Sequence, residues 1–390
     1  DPFAGSGTTL FVASQLGLDA VGIELLPIGY ELIEVRKQIL NGETEQIRTI
    51  LQRWRTGRPW MNQHDGKSFP HLRITRGAFP METESALGQY LATVEQVSSA
   101  SIRRILRFAA LCILEEIGYT RKDGQYLRWD HRSGRNQGSK PFDKGPIKPF
   151  DVAISQKLDE MCADIGNDGE LFDLSLSTKR GTIDVIHGSC LTVLPQLETA
   201  SFDGLITSPP YCNRYDYTRT YALELAMLGV DEEGIRNLRQ AMVSCTVENR
   251  EKPALRSMFS ANAYSRASTV FDSQKDLQTI LEYLEQRKAS KALNNSGIPR
   301  MVRNYFFEMS LVIFECARIL KPGAPLIMVN DNVRYEGMNI PVDLILSDIA
   351  QAAGFDVETI WVLPVGKGNS SQQMGEHGRE ELRKCVYIWR

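Results

Sequence analysis

Near both ends of the chain, short apolar runs alternate with longer stretches that mix apolar and polar residues. Short apolar runs there stop at Gly, Pro, Asp or Asn, which predicts buried strands, and stretches with apolar residues at helical spacing predict helices between them. The predicted strands are 20–24, 182–190, 202–206, 325–329, 355–363 and 384–389. The predicted helices are 8–16, 27–40, 191–197, 303–320 and 341–353. This order is typical of an α/β fold with a doubly wound sheet, and the last two strands predict a final antiparallel hairpin.

Two long segments, 41–180 and about 212–300, interrupt this alternation. Both are predicted to be mainly helical, and the second is polar and charged without recognisable chemistry. Insertions in an α/β frame lie at its loops, where function is commonly found. We therefore expect a first half of the core at 1–40, an inserted region at 41–180, and a second half at 181–390 that contains the other insertion.

The first insertion mixes positive charge with aromatic residues. Segment 48–76 holds seven Lys or Arg and one acid, interleaved with Trp54, Trp60 and Phe69. Segment 101–148 holds eleven Lys or Arg and five acids. Cations contact phosphates, while aromatic and amide side chains contact bases. A solvated basic face without a ligand has the same composition, so the pattern alone leaves both interpretations open.

Composition narrows the class of protein. The 390 residues carry 45 Lys or Arg and 48 Asp or Glu, a net charge of −3, so any nucleic-acid surface must be local. No apolar run of about 18 residues predicts a membrane helix, and no signal peptide is seen. The seven cysteines are scattered without a CxxC pair, which favours reduced thiols in a cytoplasmic protein over disulfides or a metal site.

A glycine-rich turn opens the first predicted helix, and an acid, Glu24, ends the first predicted strand. Glycines let a ligand approach the backbone, and a carboxylate about 20 residues later binds ribose hydroxyls. The spacing is not GxGxxG, so a dinucleotide is not favoured; a tight turn without a ligand is the alternative. The turn residues are Asp1, Pro2, Phe3, Ala4, Gly5, Ser6, Gly7 and Thr8. Because a strand should lead into such a turn, we expect that the natural N-terminus is missing from the sequence.

A second motif, Thr-Ser-Pro-Pro-Tyr at 207–211, follows the predicted strand 202–206. Prolines cannot donate to a sheet ladder, so the strand must end there, and the residue before each proline stays extended. The result is a stiff tip that carries a hydroxyl on Ser208, carbonyls on Pro209 and Pro210, and the ring of Tyr211. Ligands of open α/β sheets bind at the carboxyl ends of strands, although an ordinary Pro-Pro turn remains the alternative.

Together, the turn at 1–8, the sequence Gly-Ile-Glu at 22–24 and the tip at 207–211 resemble the signature motifs of DNA methyltransferases that modify exocyclic amino groups. The resemblance covers about 1–40, 181–211 and 303–390 and implies a Rossmann-like methyltransferase sheet. It implies that S-adenosylmethionine is the cofactor, bound by residues 1–8 and by Glu24. It also places Ser189 and Cys190 near the adenine, although this family often has Asp where Ser189 stands.

The resemblance implies that Ser208, Pro209, Pro210 and Tyr211 form the catalytic tip. An exocyclic amine is a weak nucleophile, and acceptors around its N–H groups stabilise the positive charge that develops on it. An amine inside a duplex cannot reach the tip, so the base must be flipped out. The polar loop 369–373 is a further candidate for holding this base.

Ser before Pro-Pro-Tyr favours N4-methylation of cytosine, whereas N6-methylation of adenine more often accompanies Asp or Asn. The predicted enzyme is thus a site-specific cytosine-N4 DNA methyltransferase with 41–180 as its target-recognition region. Double-stranded DNA and a cognate restriction endonuclease are the implied partners, and no metal or membrane is expected. An N6-adenine enzyme, an RNA or protein-glutamine methyltransferase, and an inactive remnant that binds cofactor or DNA are the alternatives.

Overall fold

The computed structural model describes residues 1–42, 44–123, 126–135, 141–165, 179–364 and 382–390, which form a mixed α/β fold. The strands are β1 Ala20–Glu24, β2 Thr120–Asp123, β3 Tyr126–Trp129, β4 Ile183–His187, β5 Leu205–Thr207, β6 Leu326–Asp331, β7 Val333–Tyr335, β8 Met338–Ile340, β9 Val357–Val362 and β10 Lys384–Trp389. The helices of the N-terminal part are α1 Thr8–Gln15, α2 Pro27–Asn41, α3 Thr44–Gly57, α4 Met81–Glu95, α5 Ala100–Ile117 and α6 Phe150–Asp164. The remaining helices are α7 Cys190–Val193, α8 Tyr217–Thr220, α9 Ala222–Met227, α10 Glu232–Ala241, α11 Leu255–Met258, α12 Ala261–Ser273, α13 Lys275–Ala289, α14 Ile298–Ile319 and α15 Val342–Ala353. The α/β class is confirmed, each predicted core strand has a counterpart, and the described parts of 41–180 and 212–300 are mainly helical.

The core strands form two sheets rather than the single sheet expected from the sequence. Strands β1 and β4 pair in parallel, and a separate sheet has the order β5-β6-β10-β9. Within the second sheet, β5 is parallel to β6, while β10 is antiparallel to both β6 and β9. The predicted final hairpin is therefore confirmed, although β10 lies inside the sheet and β9 outside it.

Residues 1–4 bond to both sheets, although the two sheets do not pair with each other. The backbone of Asp1 and Ala4 bonds to β1, through Ile23 N to Asp1 O and Ala4 N to Ile23 O, both at 2.9 Å. The Asp1 carboxylate accepts a hydrogen bond of 2.6 Å from the Thr207 hydroxyl at the end of β5. Among the described residues no strand lies between β1 and β5, so this turn makes the connection there.

Two large apolar cores divide the described helices. One surrounds α14, whose side chains are almost all buried between the four-stranded sheet and α11–α13. The other lies inside the first insertion, around α5, and also receives α9 from the second insertion. The insertions are thus packed against each other through α9, which is separated from the tip after β5 only by residues 212–221, including α8. None of the described helices is long and apolar enough to span a membrane.

Candidate active site

The glycine-rich turn owes its shape to two left-handed residues. Gly5 and Gly7 have φ angles of 55° and 77°, which side chains other than hydrogen rarely tolerate. Gly7 is also the N-cap of α1, and a Cβ atom there would lie 2.8 Å from Ile33 Cγ1. The turn therefore packs tightly on α2 while leaving the backbone around Gly5 open to a ligand.

Glu24, at the carboxyl end of β1, is held by backbone N–H groups. Its two carboxylate oxygens accept hydrogen bonds from Gly5 N at 2.6 Å and Leu26 N at 2.7 Å. Burial raises the pKa of Glu24 from its usual 4.5 to about 7, because it outweighs these hydrogen bonds. Gly29 of α2 makes this possible, since a Cβ atom there would lie 2.8 Å from both Glu24 Cδ and Gly5 O.

The Pro-Pro tip continues from β5, as predicted, but it is far less constrained. Thr207 is buried and bonded to Asp1, whereas Ser208 is exposed. The Ser208 hydroxyl contacts the Tyr211 hydroxyl at 3.4 Å, the long end of hydrogen-bond geometry. The tip thus presents a hydroxyl and a ring that make few bonds within the protein.

One cavity is lined by residues from all of these motifs. It brings together the turn, the strand-ending acid and the tip, which lie far apart in the sequence. Its walls are formed by Pro2, Phe3, Gly5, Ile23, Glu24, Leu25, Leu26, Gly188, Ser189, Cys190, Ser208, Pro210, Tyr217, Met242 and Val243. Polar groups are few and apolar side chains many, as is usual for a small-molecule site.

Ser189 and Cys190 line this cavity, but the Ser189 hydroxyl is already engaged. It donates to Ala241 O at 2.6 Å and caps α7 by accepting from Leu191 N at 3.3 Å. Cys190 is buried, and burial raises the pKa of its thiol far above the usual range. The side chains at this position therefore shape the wall rather than offer a free carboxylate, in keeping with the missing Asp.

Besides neighbours of the predicted residues (Ile23, Leu25, Leu26 and Gly188), the cavity is lined by Tyr217, Met242 and Val243 from the second insertion, which were not predicted from the sequence. The segment carrying two of them is fixed to α14, because buried Glu308 accepts from Ser244 N at 2.7 Å and from Ser244 Oγ at 2.8 Å. Apolar side chains in a helical insertion carry no signal that could have assigned them to this site.

The other predicted residues lie around the cavity rather than on its wall. Ala4 is buried beneath the turn, and Ser6 Oγ lies 3.1 Å from Thr8 Oγ1 at the start of α1. Pro209 is buried, while the Tyr211 ring points toward Lys384, whose Nζ is 6.0 Å from the ring centroid. The polar loop 369–373 lies outside the described residues.

Three aromatic residues of the first insertion, Trp54, Trp60 and Phe69, lie in its core. Trp60 is fully buried, its indole N–H donates to Asp151 Oδ1 at 2.7 Å, and Trp54 packs beside it. Phe69 is also in the core. Hydrophobic burial thus explains these three aromatics, while base contact by other residues of the insertion stays a prediction.

Many basic residues of the insertion are paired with acids. Arg104 of α5 joins Glu31 and Glu34 of α2 at 3.0 and 3.4 Å, which fastens the insertion to this helix. Further ion pairs are Arg48–Glu45, Arg55–Asp159, Lys67–Glu95, Arg107–Glu95, Arg128–Asp123, Arg132–Asp130 and Lys148–Glu116. Counting charges along the sequence therefore overstates the positive charge that this region offers to a polyanion.

Among the described residues, Asp130, His131 and Asp143 place three potential metal ligands within 4.8 Å of one another. The Asp130 carboxylate is already used by the protein: it accepts from Arg132 Nε and from Lys144 N, both at 2.7 Å. The Arg132 guanidinium accordingly holds the pKa of Asp130 well below its usual range. This cluster anchors the loop after β3.

Comparison with known proteins shows the class of enzyme. The type II methyltransferases M.AvaI of Nostoc sp. (strain PCC 7120 / SAG 25.82 / UTEX 2576) and of Anabaena variabilis are each 53% identical over 397 residues, covering 100% of this chain and 80% of theirs. M.BsoBI of Geobacillus stearothermophilus is 40% identical over 410 residues, covering 100% of the chain and 79% of its own. The chain therefore belongs to the type II methyltransferases, a family of DNA methyltransferases. No family model and no solved structure matches it.

Proposed function

We propose that the protein transfers a methyl group from S-adenosylmethionine to the exocyclic N4 amine of a cytosine in a specific DNA sequence. The observation that carries the proposal is the single cavity lined by the glycine-rich turn, Glu24 and the Pro-Pro tip. A donor site and an acceptor site next to each other are what direct methyl transfer requires, because correct positioning lowers most of the entropic barrier.

The cavity residues fit S-adenosylmethionine. Gly5 lets a ligand approach the backbone, the Glu24 carboxylate accepts from ribose hydroxyls, and the apolar wall at Met242 and Val243 suits an adenine ring. When bound, this cofactor supplies an electrophilic methyl group. Ser189 and Cys190 belong to the adenine end of the proposed site.

At the tip, the Ser208 hydroxyl and the Pro209 carbonyl are the acceptors for the amine. They orient its N–H groups, so that its lone pair faces the cavity, and they stabilise the positive charge that develops on nitrogen. Tyr211 supplies a stacking face for the flipped base, and Pro210 closes the cavity beside Ser208.

Ser208 is also the residue on which the choice of base depends. A hydroxyl before Pro-Pro-Tyr supports cytosine, and an N6-adenine enzyme is the alternative. Adenine is the alternative because, like cytosine, it presents an exocyclic amine beside a ring nitrogen.

The domain organisation follows from this function. In our proposal 1–40 and 181–390 build one Rossmann-like methyltransferase core, with β1–β4 and β5-β6-β10-β9 as its two parts. The region 41–180 recognises the target in double-stranded DNA, and 212–300 supports the cavity wall. We place the reaction in the cytoplasm, with a restriction endonuclease of the same specificity as the partner enzyme.

The test is to express the chain in cells without DNA modification and to sequence their DNA by a method that detects modified bases. Nucleoside mass spectrometry of the same DNA should show N4-methylcytosine, and Tyr211→Ala should abolish it. N6-methyladenine would shift the proposal to its alternative. Labelled methyl groups in tRNA or protein, but not in plasmid DNA, would refute it.

A further inference from the structure

Asp331 and Lys384 lie beside the tip but belong to neither sequence motif. In the register of β5 and β6, Thr207 pairs with Met328, so β6 runs on through residues 329–331 alongside the tip. Asp331 is the last residue of β6 and pairs with Lys384, the first residue of β10. The three strands therefore bring Asp331, Lys384 and Tyr211 to the same edge of the sheet.

The side chains of this group converge. The Lys384 ammonium lies 6.0 Å from the centroid of the Tyr211 ring. Side chains of β6 alternate between buried and partly exposed, and Asp331 lies on the partly exposed side with Val329 and Ile327. Asp331 and Lys384, as directly paired residues, share one face of the sheet. A cation thus lies near an aromatic ring that is well suited to stack on a base, and a carboxylate lies beside that cation on the neighbouring strand.

The Asp331 carboxylate is not fully used by the protein. Its Oδ1 atom is shielded from solvent, yet it accepts no hydrogen bond from any described residue. Such a buried acceptor costs folding free energy and calls for a partner outside the protein or for a role that outweighs the cost. Burial raises the pKa of Asp331, and the charge of Lys384 opposes that increase.

We propose that Asp331 and Lys384 read the amino edge of the flipped base stacked on Tyr211. Asp331 shares one N–H of the exocyclic amine with the Ser208 hydroxyl, and the Pro209 carbonyl accepts from the other N–H. Lys384 donates a hydrogen bond to the neighbouring ring nitrogen. This acceptor–donor pair fits cytosine and adenine and rejects guanine and thymine, whose corresponding edges carry a carbonyl and an N–H. The inference rests on the proposed function, since it presupposes a flipped base at the tip.

The experiment measures single-turnover methylation of a duplex that carries the site found by sequencing. The variants are Asp331→Asn and Lys384→Met, and the matched controls are Asp184→Asn on exposed β4 and Lys275→Met on exposed α13. We expect each variant to lose about ten- to hundredfold in rate or DNA affinity, the value of a hydrogen bond to a charged group. The controls should keep wild-type activity, and cofactor affinity should stay unchanged in all four.

Two further measurements separate recognition from a structural role. Asp331→Asn should raise or preserve the melting temperature while it lowers methylation, because it removes an unsatisfied buried charge. A duplex with 3-deazacytosine at the target lacks the ring acceptor, so it should slow the wild type by about tenfold or more but slow Lys384→Met no further.

Either of two results would overturn the inference. In one, the melting temperature of Asp331→Asn falls together with its activity. In the other, 3-deazacytosine slows the wild type and Lys384→Met by the same factor. These outcomes are distinct from failure of the proposed function. If the wild type methylates the duplex and both variants behave like the controls, only the role of Asp331 and Lys384 is wrong. If the wild type methylates no DNA, the proposed function itself fails.

Discussion

The two sides of the cavity are built in opposite ways. On the side that we propose for the cofactor, Glu24 is buried and both of its oxygens are held by backbone N–H groups, next to a turn with two left-handed glycines. On the other side, Ser208 is exposed and its one hydroxyl contact is 3.4 Å long. The first side is preorganised by the fold, whereas the second has free hydrogen-bonding capacity for a substrate. The fold therefore holds the polar group on one side of the cavity in place and leaves the polar group on the other side free to bind.

The strongest test of the open side is Ser208→Ala. If the hydroxyl acts on the amine in the transition state, methylation should slow by about 10²- to 10³-fold, as for loss of one preorganised hydrogen-bonding group. The melting temperature should hardly change, because the hydroxyl makes only one weak contact. Single-turnover kinetics check the rate, with Ser201→Ala, whose hydroxyl donates to Glu198 O, as the control. Equal methylation rates for Ser208→Ala and the wild type would show that the exposed hydroxyl does not act on the amine.

The rigid side is tested by Gly7→Ala. The φ of 77° and the 2.8 Å approach to Ile33 should together lower the free energy of unfolding by about 2–4 kcal/mol, with loss of cofactor binding. Chemical denaturation measures this change. Gly57→Ala is the matched control, since no atom lies within 4 Å of its added Cβ, and it should be neutral or slightly stabilising.

The pKa of Glu24 gives a pH test of the same side. Because burial raises it from 4.5 to about 7, this residue's contribution to the stability of the ligand-free protein is complete below pH 4.5 and is lost as the pH rises through about 7. Cofactor binding needs the carboxylate and follows the opposite trend: below pH 7 the affinity should fall by about tenfold per pH unit. Calorimetric titrations from pH 5.5 to 7.5 measure it, and Glu24→Gln should bind weakly with a flat profile. A flat profile in the wild type would exclude Glu24 as the ribose ligand.

We expect the smallest effect at the hydrogen bond between Thr207 and Asp1, which joins the two sides of the cavity. Thr207→Val removes the 2.6 Å hydrogen bond to Asp1 but keeps the shape of the side chain. Asp1 Oδ1 still accepts from Phe3 N, so the free energy of unfolding should fall by only about 1 kcal/mol. Thermal denaturation checks the value, and Thr207→Ser, which retains the hydroxyl, should restore the hydrogen bond. A loss as large as that of Gly7→Ala would show that the two sides are not independent.

Local patterns predicted the elements well, because strand periodicity and turn chemistry act over a few residues. The strand 20–24, the strand 384–389 and the helix that begins at Thr8 all appear with the predicted bounds or within one residue of them. The motifs at 1–8 and 207–211 could be assigned to one site because together they resemble the signature motifs of one enzyme family. Their grouping around one cavity agrees with this reasoning.

Properties that depend on distant contacts could not be predicted. Nothing in the sequence near Trp60 distinguishes a buried indole from one that contacts bases, since its partner Asp151 is 91 residues away. Likewise, Met242 reaches the cavity only because Ser244 is bonded to Glu308 on a different helix. The separation of β1 from β5 also depends on pairing between segments far apart in the chain, where side-chain periodicity carries no information.

Gly29 sets how closely α2 can approach both the turn and the acid. A side chain at that position would meet both Glu24 Cδ and the carbonyl of Gly5 at 2.8 Å, although Gly29 belongs to neither motif. Any side chain at position 29 would therefore displace both the Glu24 carboxylate and the turn at Gly5. A search for more stable variants of α2 should leave this position unchanged.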